Sequence, residues 1–433
     1  MHRIDIVISN DRHHCAMAKP LVRLMADSGS YQLRVLSLCE FRGITTPQNP
    51  LGHEGVRIVR LARIRRPRGL KSKSRGSGSE GKFSRVAQAL AWLVLLSGNV
   101  KRAFVSRPDL VILFNDAAYP YDRICKFLRK RRIPFLLIQE GIRFEAAEGA
   151  FEGALNQGKG GATAIAAFGE SSAEFFRRQG APQQSIHLTG NPRFDELSAL
   201  DFQSKVLQMR RELNLGGRNL LFLSNPIEFH GYCSTESKLG LVRDFVLGID
   251  PLFEDEGFRL VFKLHGQENP DDFLAAAEAS PHSSQIVMAS DCELYPLLVL
   301  SDAAVIFGTT AGLEALLLGV PLGVIEIPGV GFLHDYVRQG AAIPLRWSMP
   351  MSEQVTQLLA LKGRYQPSVD RYLDRSLASR SDATARILEL VNGLHPAHGS
   401  PQVGSLVRSL RARRPPNSAS PPQNSRQEVN DQA

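Results

Sequence analysis

Cysteine, aromatic residues and long apolar runs are all scarce in this 433-residue chain. The five cysteines are scattered and form no CxxC pair, which argues against a disulfide framework or a zinc ribbon and is typical of a reducing compartment. The longest apolar run, residues 86–97, is shorter than the roughly 20 residues of a membrane-spanning helix. No apolar signal-peptide stretch follows the first methionine. We therefore expect a cytoplasmic, globular protein.

Several catalytic motifs are also missing. The sequence has no HExxH, HxxxH or aspartate-rich metal motif, no GxGxxG after its first predicted strand, no GxxxxGK[ST] loop and no GxSxG elbow. These absences disfavour a metal-dependent hydrolase, a dinucleotide-dependent oxidoreductase, a P-loop enzyme and a serine hydrolase. The sequence predicts no bound metal and no cofactor.

The net charge of +9 is unevenly distributed. Nine basic residues and no acid lie between positions 57 and 79, namely Arg57, Arg60, Arg63, Arg65, Arg66, Arg68, Lys71, Lys73 and Arg75. Residues 63–82 are also rich in Gly and Ser, which predicts a flexible basic loop. Such a loop can contact an anionic membrane or a nucleic acid, or it can simply be a solvated surface.

Strand and helix patterns alternate along most of the chain. Alternation of this kind predicts parallel, doubly wound sheets. We predict an N-terminal α/β domain at 1–200, a connector at 201–217 with a charged helix, and a C-terminal α/β domain at 218–395. The two domains are expected to face each other across a cleft. Residues 396–433 are rich in Pro, Ser, Asn and Gln, which predicts a disordered tail.

Polar residues follow several of the predicted strands, and ligands bind at the carboxyl ends of parallel strands. Acid/base candidates come from the first domain: His13 and His14 in the loop after the first strand, Asp116 after residues 110–114, and Glu140 after residues 135–138. Arg193, Lys263 and His265 are cationic or imidazole groups suited to a diphosphate. Each of these residues could instead be an ordinary cap or a solvated loop residue.

Residues 301–328, SDAAVIFGTTAGLEALLLGVPLGVIEIP, read as strand, tight turn, helix and strand. Thr309 and Thr310 precede the helix, and Glu314 lies one turn into it. A helix that begins directly after a strand presents free backbone N–H groups that can bind phosphate. An ordinary capped βαβ unit would have the same pattern.

Three segments resemble sugar-nucleotide enzymes of the GT-B fold. They are LTGNPRFDEL at 188–197, KLHGQENPDDF at 263–273 and LYPLLVLSDAAVIFGTTAGLEALLLGVPLGVI at 294–325. The chain is most similar to the non-hydrolysing UDP-N-acetylglucosamine 2-epimerases and the related glycosyltransferases of polysaccharide synthesis. The resemblance implies a diphosphate site at Thr309, Thr310, Ala311 and Gly312 and a ribose contact at Glu314. It also implies catalytic roles for Glu140, in IQEGIR, and for Asp116.

The loop SNDRHHCAMAKPL at 9–21 is similar to the loop in which inverting GT-B glycosyltransferases carry a histidine near the acceptor, which makes His14 a candidate base. After the first strand of the second domain, SNPIEFHGY stands in place of the epimerase histidine pattern, with His230 as a loose match. The leading hypothesis is a metal-independent glycosyltransferase of capsule or lipopolysaccharide type, using a UDP-linked sugar and a glycan or lipid-linked acceptor. It would contact an anionic membrane through residues 57–75. The alternatives are a 2-epimerase and a catalytically inactive assembly or binding protein.

Overall fold

The computed structural model describes residues 1–62, 90–143, 157–195, 197, 202–229, 231–266 and 268–394. The predicted basic loop at 63–82, the loose candidate His230 and the predicted tail at 396–433 lie outside the described residues. Among the helices described, none is long and apolar enough to cross a lipid bilayer.

The first domain contains a seven-stranded sheet in the order β3-β2-β1-β4-β5-β6-β7, with every pair parallel. Its strands are β1 His2–Ile8, β2 Tyr31–Ser37, β3 Arg57–Arg60, β4 Leu110–Leu113, β5 Phe135–Ile138, β6 Ala164–Ala167 and β7 Ile186–Leu188. The central strands LVIL and FLLI are buried at every position. Continuous apolar strands are what a parallel sheet covered on both faces requires.

The second domain contains a six-stranded parallel sheet in the order β10-β9-β8-β11-β12-β13. Its strands are β8 Asn219–Leu223, β9 Arg259–Lys263, β10 Ile286–Met288, β11 Ala303–Ile306, β12 Leu322–Ile325 and β13 Ile343–Leu345. Both predicted sheets are therefore confirmed. Strand β13 was not predicted, because three residues with a central proline carry almost no strand signal.

Helices cover both faces of the two sheets. They are α1 His13–Asp27, α2 Cys39–Arg42, α3 Ser97–Ala103, α4 Tyr121–Lys130, α5 Glu170–Arg178, α6 Pro192–Asp195, α7 Gln203–Glu212, α8 Thr235–Gly248, α9 Pro270–Ala277, α10 Leu294–Leu300, α11 Ala311–Leu317, α12 Met351–Leu359, α13 Pro367–Ser376 and α14 Ala383–Gly393. A π-helical turn at Trp92–Leu96 precedes α3. One apolar core contains residues of both domains, and each sheet has a second core on its other face.

The last two helices pack against the first domain, although the sequence placed them in the second. Asp195 in α6 accepts the backbone N–H groups of Ala383 and Thr384 at 2.9 and 2.6 Å, at the start of α14. The chain just after α13 is tied to β6, because the N–H of Ala378 donates to the carbonyl of Phe168 at 2.7 Å. The C-terminal segment thus crosses back and fastens the two domains together.

One local prediction was wrong. The loop expected after the first strand ends early, because the side-chain oxygen of Asn10 accepts the N–H groups of Arg12 and His13 at 3.0 and 2.8 Å. His13 and His14 therefore lie in the first turn of α1 rather than in a loop.

Candidate active site

The carboxylate of Glu140 lies just beyond the end of β5, where two side chains of the first domain hold it. Its Oε1 accepts a hydrogen bond from His14 Nε2 at 2.9 Å, and its Oε2 accepts one from Asn115 Nδ2 at 3.2 Å. The Glu140 side chain is 24% exposed, whereas that of His14 is 1% exposed. The carboxylate is thus fixed from one side and open on the other.

The protonation of His14 follows from its two partners. The backbone N–H of Ser9 donates to Nδ1 at 3.1 Å, so Nδ1 carries no proton. The proton on Nε2 then donates to Glu140. Because the ring packs against Phe114 with centroids 4.9 Å apart, its orientation is fixed. His14 is a donor to Glu140 and has no free nitrogen to accept a proton.

A second chain of contacts connects Glu140 to the other domain. His13 Nε2 donates to the main-chain carbonyl of Glu140 at 2.8 Å, and Arg193 Nη1 donates to His13 Nδ1 at 3.4 Å. Arg193 Nη2 pairs with Glu314 Oε1 at 3.0 Å. Tyr295 completes this group, because its hydroxyl donates to the same Glu314 oxygen at 2.9 Å and its ring lies 5.4 Å from the Arg193 guanidinium.

The pKa values of Glu140 and His13 are both lowered, for different physical reasons. Burial alone would raise the pKa of Glu140, but His14, His13 and the Asn115 donor outweigh it and hold that pKa below its usual range. Burial, helped by Arg193 and His14, lowers the pKa of His13. At neutral pH the Glu140 carboxylate is therefore ionised, and the lowered pKa of His13 favours its neutral form.

The start of α11, in the second domain, contacts the chain just beyond Glu140. Thr310 Oγ1 accepts the N–H of Ile142 at 3.5 Å, two residues beyond Glu140. The preceding Gly308 has no room for a side chain, since a Cβ there would lie 2.5 Å from the Cβ of Leu333. Glycine at position 308 thus lets the turn between β11 and α11 pack closely against Leu333.

Arg143 places a guanidinium at the same point. A Cβ on Gly141 would lie 3.5 Å from Thr310 Oγ1 and 3.6 Å from Arg143 Nη1, so both groups converge there. Gln157 Oε1 holds the guanidinium by accepting from Nε at 2.9 Å and Nη2 at 2.6 Å. Burial and the Arg143 charge lower the pKa of His334 to about 4. This face of the cleft therefore combines a cation, a hydroxyl and a helix start.

The sequence matches no protein-family model and no curated protein. Solved structures do match. A complex of S. aureus MnaA with UDP is 14% identical, with a TM-score of 0.60 over 90% of this chain and 96% of the other. UDP-GlcNAc 2-epimerase from Neisseria meningitidis bound to UDP-GlcNAc is 14% identical, with a TM-score of 0.58 over 90% of this chain and 100% of the other. The calicheamicin glycosyltransferase CalG4 is 14% identical, with a TM-score of 0.57 over 92% of this chain and 100% of the other. The chain has the GT-B fold.

Within this GT-B fold, five of the predicted site residues come together at the domain boundary. They are Glu140, His14, Arg193, Glu314 and Thr310. Thr309 and Ala311 lie beside Thr310, with Thr309 Oγ1 accepting the N–H of Ala311 at 3.3 Å. Gly312 is buried, and a Cβ there would lie 3.0 Å from both Ile306 and Leu322. Its role in the structure is close packing of α11 on β11 and β12.

Asp116 does not join this cluster. Its Oδ1 accepts the N–H of Gly158 at 3.0 Å, and its Oδ2 accepts the N–H groups of Gly158 and Gly160 at 3.0 and 2.7 Å. Burial raises the pKa of Asp116, although these backbone donors partly offset that effect. The side chain fastens the turn at 157–160, which is a structural task.

Lys263 is the last residue of β9 and His265 follows the strand, and each makes a hydrogen bond within its own domain. Lys263 Nζ donates to the carbonyl of Ser290, and burial lowers its pKa. His265 is exposed, and its backbone N–H donates to Glu268 Oε2 at 2.6 Å. The described residues include no group of three or more His, Cys, Asp or Glu that could hold a metal ion.

Tyr295 was missed from the sequence, and no role was predicted for Asn115. Tyr295 is the one polar side chain in the first turn of the otherwise apolar helix LYPLLVL, which is the signal that could have identified it. Asn115 precedes Asp116 at the end of the β4 segment. Polar residues after a parallel strand are site candidates, and this rule selects both Asn115 and Asp116. It cannot tell which of the two contacts Glu140.

Proposed function

We propose that the protein is a nucleotide-sugar-dependent glycosyltransferase of surface polysaccharide synthesis, of the capsule or lipopolysaccharide type. The observation that carries this proposal is the ionised Glu140 carboxylate, held by His14 and Asn115 two residues before the contact of Ile142 with Thr310 at the start of α11. Donor nucleotide would bind the second domain, and the acceptor would bind the first. The acceptor is a glycan or a lipid-linked glycan.

Glu140 is the proposed base. As the acceptor hydroxyl oxygen bonds to the sugar carbon, the bond from that carbon to the diphosphate breaks and the hydroxyl proton passes to the carboxylate. A carboxylate with a lowered pKa is a weak base, which suffices where the sugar carbon has already gained oxocarbenium character. His14 fixes the carboxylate in place, since both of its nitrogens are occupied.

The leaving diphosphate is proposed to bind where Arg143, Thr310 and the first turn of α11 converge. Cations and oriented N–H groups stabilise charge that develops on a departing oxygen. Thr309 and Ala311 would contribute to the same turn, and Lys263 and His265 lie at the end of β9, which β8 separates from β11. Glu314 would accept the ribose hydroxyls from inside the helix.

The first test is a thermal-shift panel of UDP-, CDP-, GDP- and TDP-sugars, because a ligand that binds only the folded state raises its stability. We expect a stabilising shift with UDP-sugars that is lost in Glu314→Ala. The second test adds glycan and lipid-linked acceptors and measures release of nucleotide. Release that requires acceptor and is abolished in Glu140→Gln supports the proposal. Stabilisation without transfer to any acceptor would instead indicate a binding protein.

The second candidate is a UDP-N-acetylglucosamine 2-epimerase. It is favoured by the structural likeness to the N. meningitidis 2-epimerase bound to UDP-GlcNAc. The test is to incubate the purified protein with UDP-N-acetylglucosamine alone and to follow the 2-epimer by NMR. Epimer formed without any acceptor would replace the first proposal by the second.

The membrane contact is proposed to involve an apolar face next to the basic segment. Leu90, Leu93 and Val94 are 63%, 65% and 74% exposed, and their spacing places them on one face of a helix. Arg57 and Arg60 lie on the edge strand β3, and the exposed Lys101 and Arg102 follow in α3. Apolar side chains flanked by cations suit the interface of an anionic bilayer.

Vesicle flotation tests this contact. We expect binding to vesicles that contain phosphatidylglycerol, weaker binding to phosphatidylcholine alone, and loss of binding in Leu93→Glu. Leu207→Glu is the matched control, because Leu207 is 59% exposed on α7, a connector helix outside this face. Equal flotation of both variants would exclude this face as the docking surface.

A further inference from the structure

Arg193 occupies an unusual position for a residue expected to bind a diphosphate. Its guanidinium lies between the two domains and contacts both Glu314 in α11 and His13 in α1. Glu314 is 3% exposed, and the Arg193 side chain is 25% exposed. The pair is therefore largely removed from solvent, where a planar guanidinium with two nitrogens on two partners fixes geometry strongly.

The backbone that carries Arg193 is rigid. The N–H of Arg193 donates to Asn191 Oδ1 at 3.1 Å at the start of α6. Gly190, with φ of +87°, fits only as glycine, because a Cβ there would lie 2.7 Å from the carbonyl oxygen of Ser379. Asp195 at the end of α6 caps α14. Any change at this site must therefore come from the side chain.

The second nitrogen of the guanidinium determines the state of His13. Because Arg193 donates to Nδ1, that nitrogen carries no proton, and Nε2 is left to donate to the carbonyl of Glu140. This hydrogen bond holds the main chain from which the Glu140 carboxylate projects. One planar side chain thus joins the glutamate proposed to bind ribose to the backbone of the proposed base.

We propose that Arg193 is a positioning residue that couples the nucleotide side of the cleft to the orientation of Glu140 through His13. The kinetic consequences of this role rest on the proposed function. The contacts of Arg193 with Glu314 and His13 do not depend on that function. Arginine is required because two of its nitrogens act at once, Nη2 on Glu314 and Nη1 on His13. A lysine has one compact ammonium group and can serve one of these partners.

Arg193→Lys is therefore the informative variant. The lysine is expected to keep the ion pair with Glu314, so that the donor KM stays within about threefold, while loss of the His13 contact lowers kcat about 10- to 100-fold. Arg193→Met is expected to impair both parameters. In combination with His13→Ala, Arg193→Lys is expected to add no further loss of kcat, because His13→Ala alone already removes the contact between Arg193 and the Glu140 backbone. Arg218→Lys, in an exposed pair with Asp255 at 2.6 Å, is the matched control and should change neither parameter.

A readout that needs no substrate separates this proposal from the proposed function. Side-chain ¹⁵N NMR of His13 should show a neutral ring with its proton on Nε2 in the wild type and in Arg218→Lys. It should show a mixture of tautomers in Arg193→Lys. If the wild type transfers no sugar yet the His13 signal changes as expected, the positioning role stands and the proposed function fails. If Arg193→Lys leaves both the His13 signal and kcat unchanged, the positioning role is wrong.

Discussion

Asp116 and Glu140 follow the adjacent strands β4 and β5, and both carboxylates lie near the same edge of the first sheet. Backbone N–H groups of Gly158 and Gly160 hold Asp116. Side chains of His14 and Asn115 hold Glu140. The pKa of Asp116 is raised by its burial, whereas that of Glu140 is lowered by its neighbours. Two carboxylates in similar positions along the chain have thus been given opposite environments.

The difference separates an acid held by the backbone from the acid proposed to act in the reaction. Backbone donors tie a carboxylate to the path of the chain, so its loss is felt as unfolding. Side-chain donors fix the direction of a partly exposed carboxylate and leave part of it accessible to a substrate. We therefore expect mutation of Asp116 to lower the free energy of unfolding and mutation of Glu140 to lower turnover.

The largest expected effect is on turnover in Glu140→Gln. The amide cannot accept a proton from the acceptor, and general-base catalysis contributes about 10²- to 10⁴-fold. We expect kcat to fall by that factor while UDP binding, measured by calorimetry, changes little. Transfer at the wild-type rate would show that Glu140 is not the base.

Asp116→Ala tests the other half of the comparison. It leaves the buried N–H groups of Gly158 and Gly160 without their acceptor, which should lower the free energy of unfolding by about 2 to 4 kcal/mol in a denaturant titration. Asp271→Ala is the control, because Asp271 is exposed in the first turn of α9. A variant with normal stability and no turnover would return Asp116 to the catalytic set.

The sequence was enough to predict both sheets. The buried strands LVIL and FLLI are short apolar runs bounded by polar turns, and such runs separated by helical stretches favour parallel order. The same signals could not place α13 and α14. Helical periodicity shows that a helix has a buried face, but the partner of that face lies about 190 residues away, as with Asp195 and Thr384.

For the site, as for the fold, the sequence identified the residues but not their partners. The strand-end rule selected Glu140, Asp116, Arg193 and the start of α11, but it could not distinguish their roles. The partner of Glu140 lies 126 residues earlier, at His14, and a partner of Asp116 lies 42 residues later, at Gly158. Which carboxylate meets which donors is decided by tertiary packing. The start of α1 was a different kind of error, since Asn10 is a helix-start signal that the sequence does contain.

Asn115 belongs to both turns, and Asn115→Asp separates its two tasks. Its Oδ1 accepts the N–H groups of Ala117 and Ala118 at 3.0 and 2.9 Å, and an aspartate would keep those contacts. Its Nδ2 donor to Glu140 would be replaced by a negative charge, which raises the pKa of Glu140. We expect the acid limb of the pH–rate profile to move up by about one unit. An unmoved limb would show that the Glu140 ionisation does not govern the rate.

The same variant has a consequence for stability. Because the pKa of Glu140 is lowered in the folded state, its ionisation stabilises the fold above the ordinary glutamate pKa, and this stabilisation is lost as the pH falls through the folded value. Asn115→Asp should reduce the stabilisation at neutral pH. Denaturant titrations of both proteins at a series of pH values measure the difference.

Gly160→Ala has the smallest expected effect and is the most exacting test of the comparison. A Cβ at Gly160 would lie 2.7 Å from the Cβ of Asp116, so the turn must shift, at a cost of about 1 kcal/mol of unfolding free energy. Gly216→Ala is the control, because nothing lies within 4 Å of a Cβ at that position. If the Asp116 turn is purely structural, kcat should be unchanged in both variants. A fall in kcat in Gly160→Ala alone would mean that the shift reaches Glu140 through Asn115, and that the two turns act as one unit.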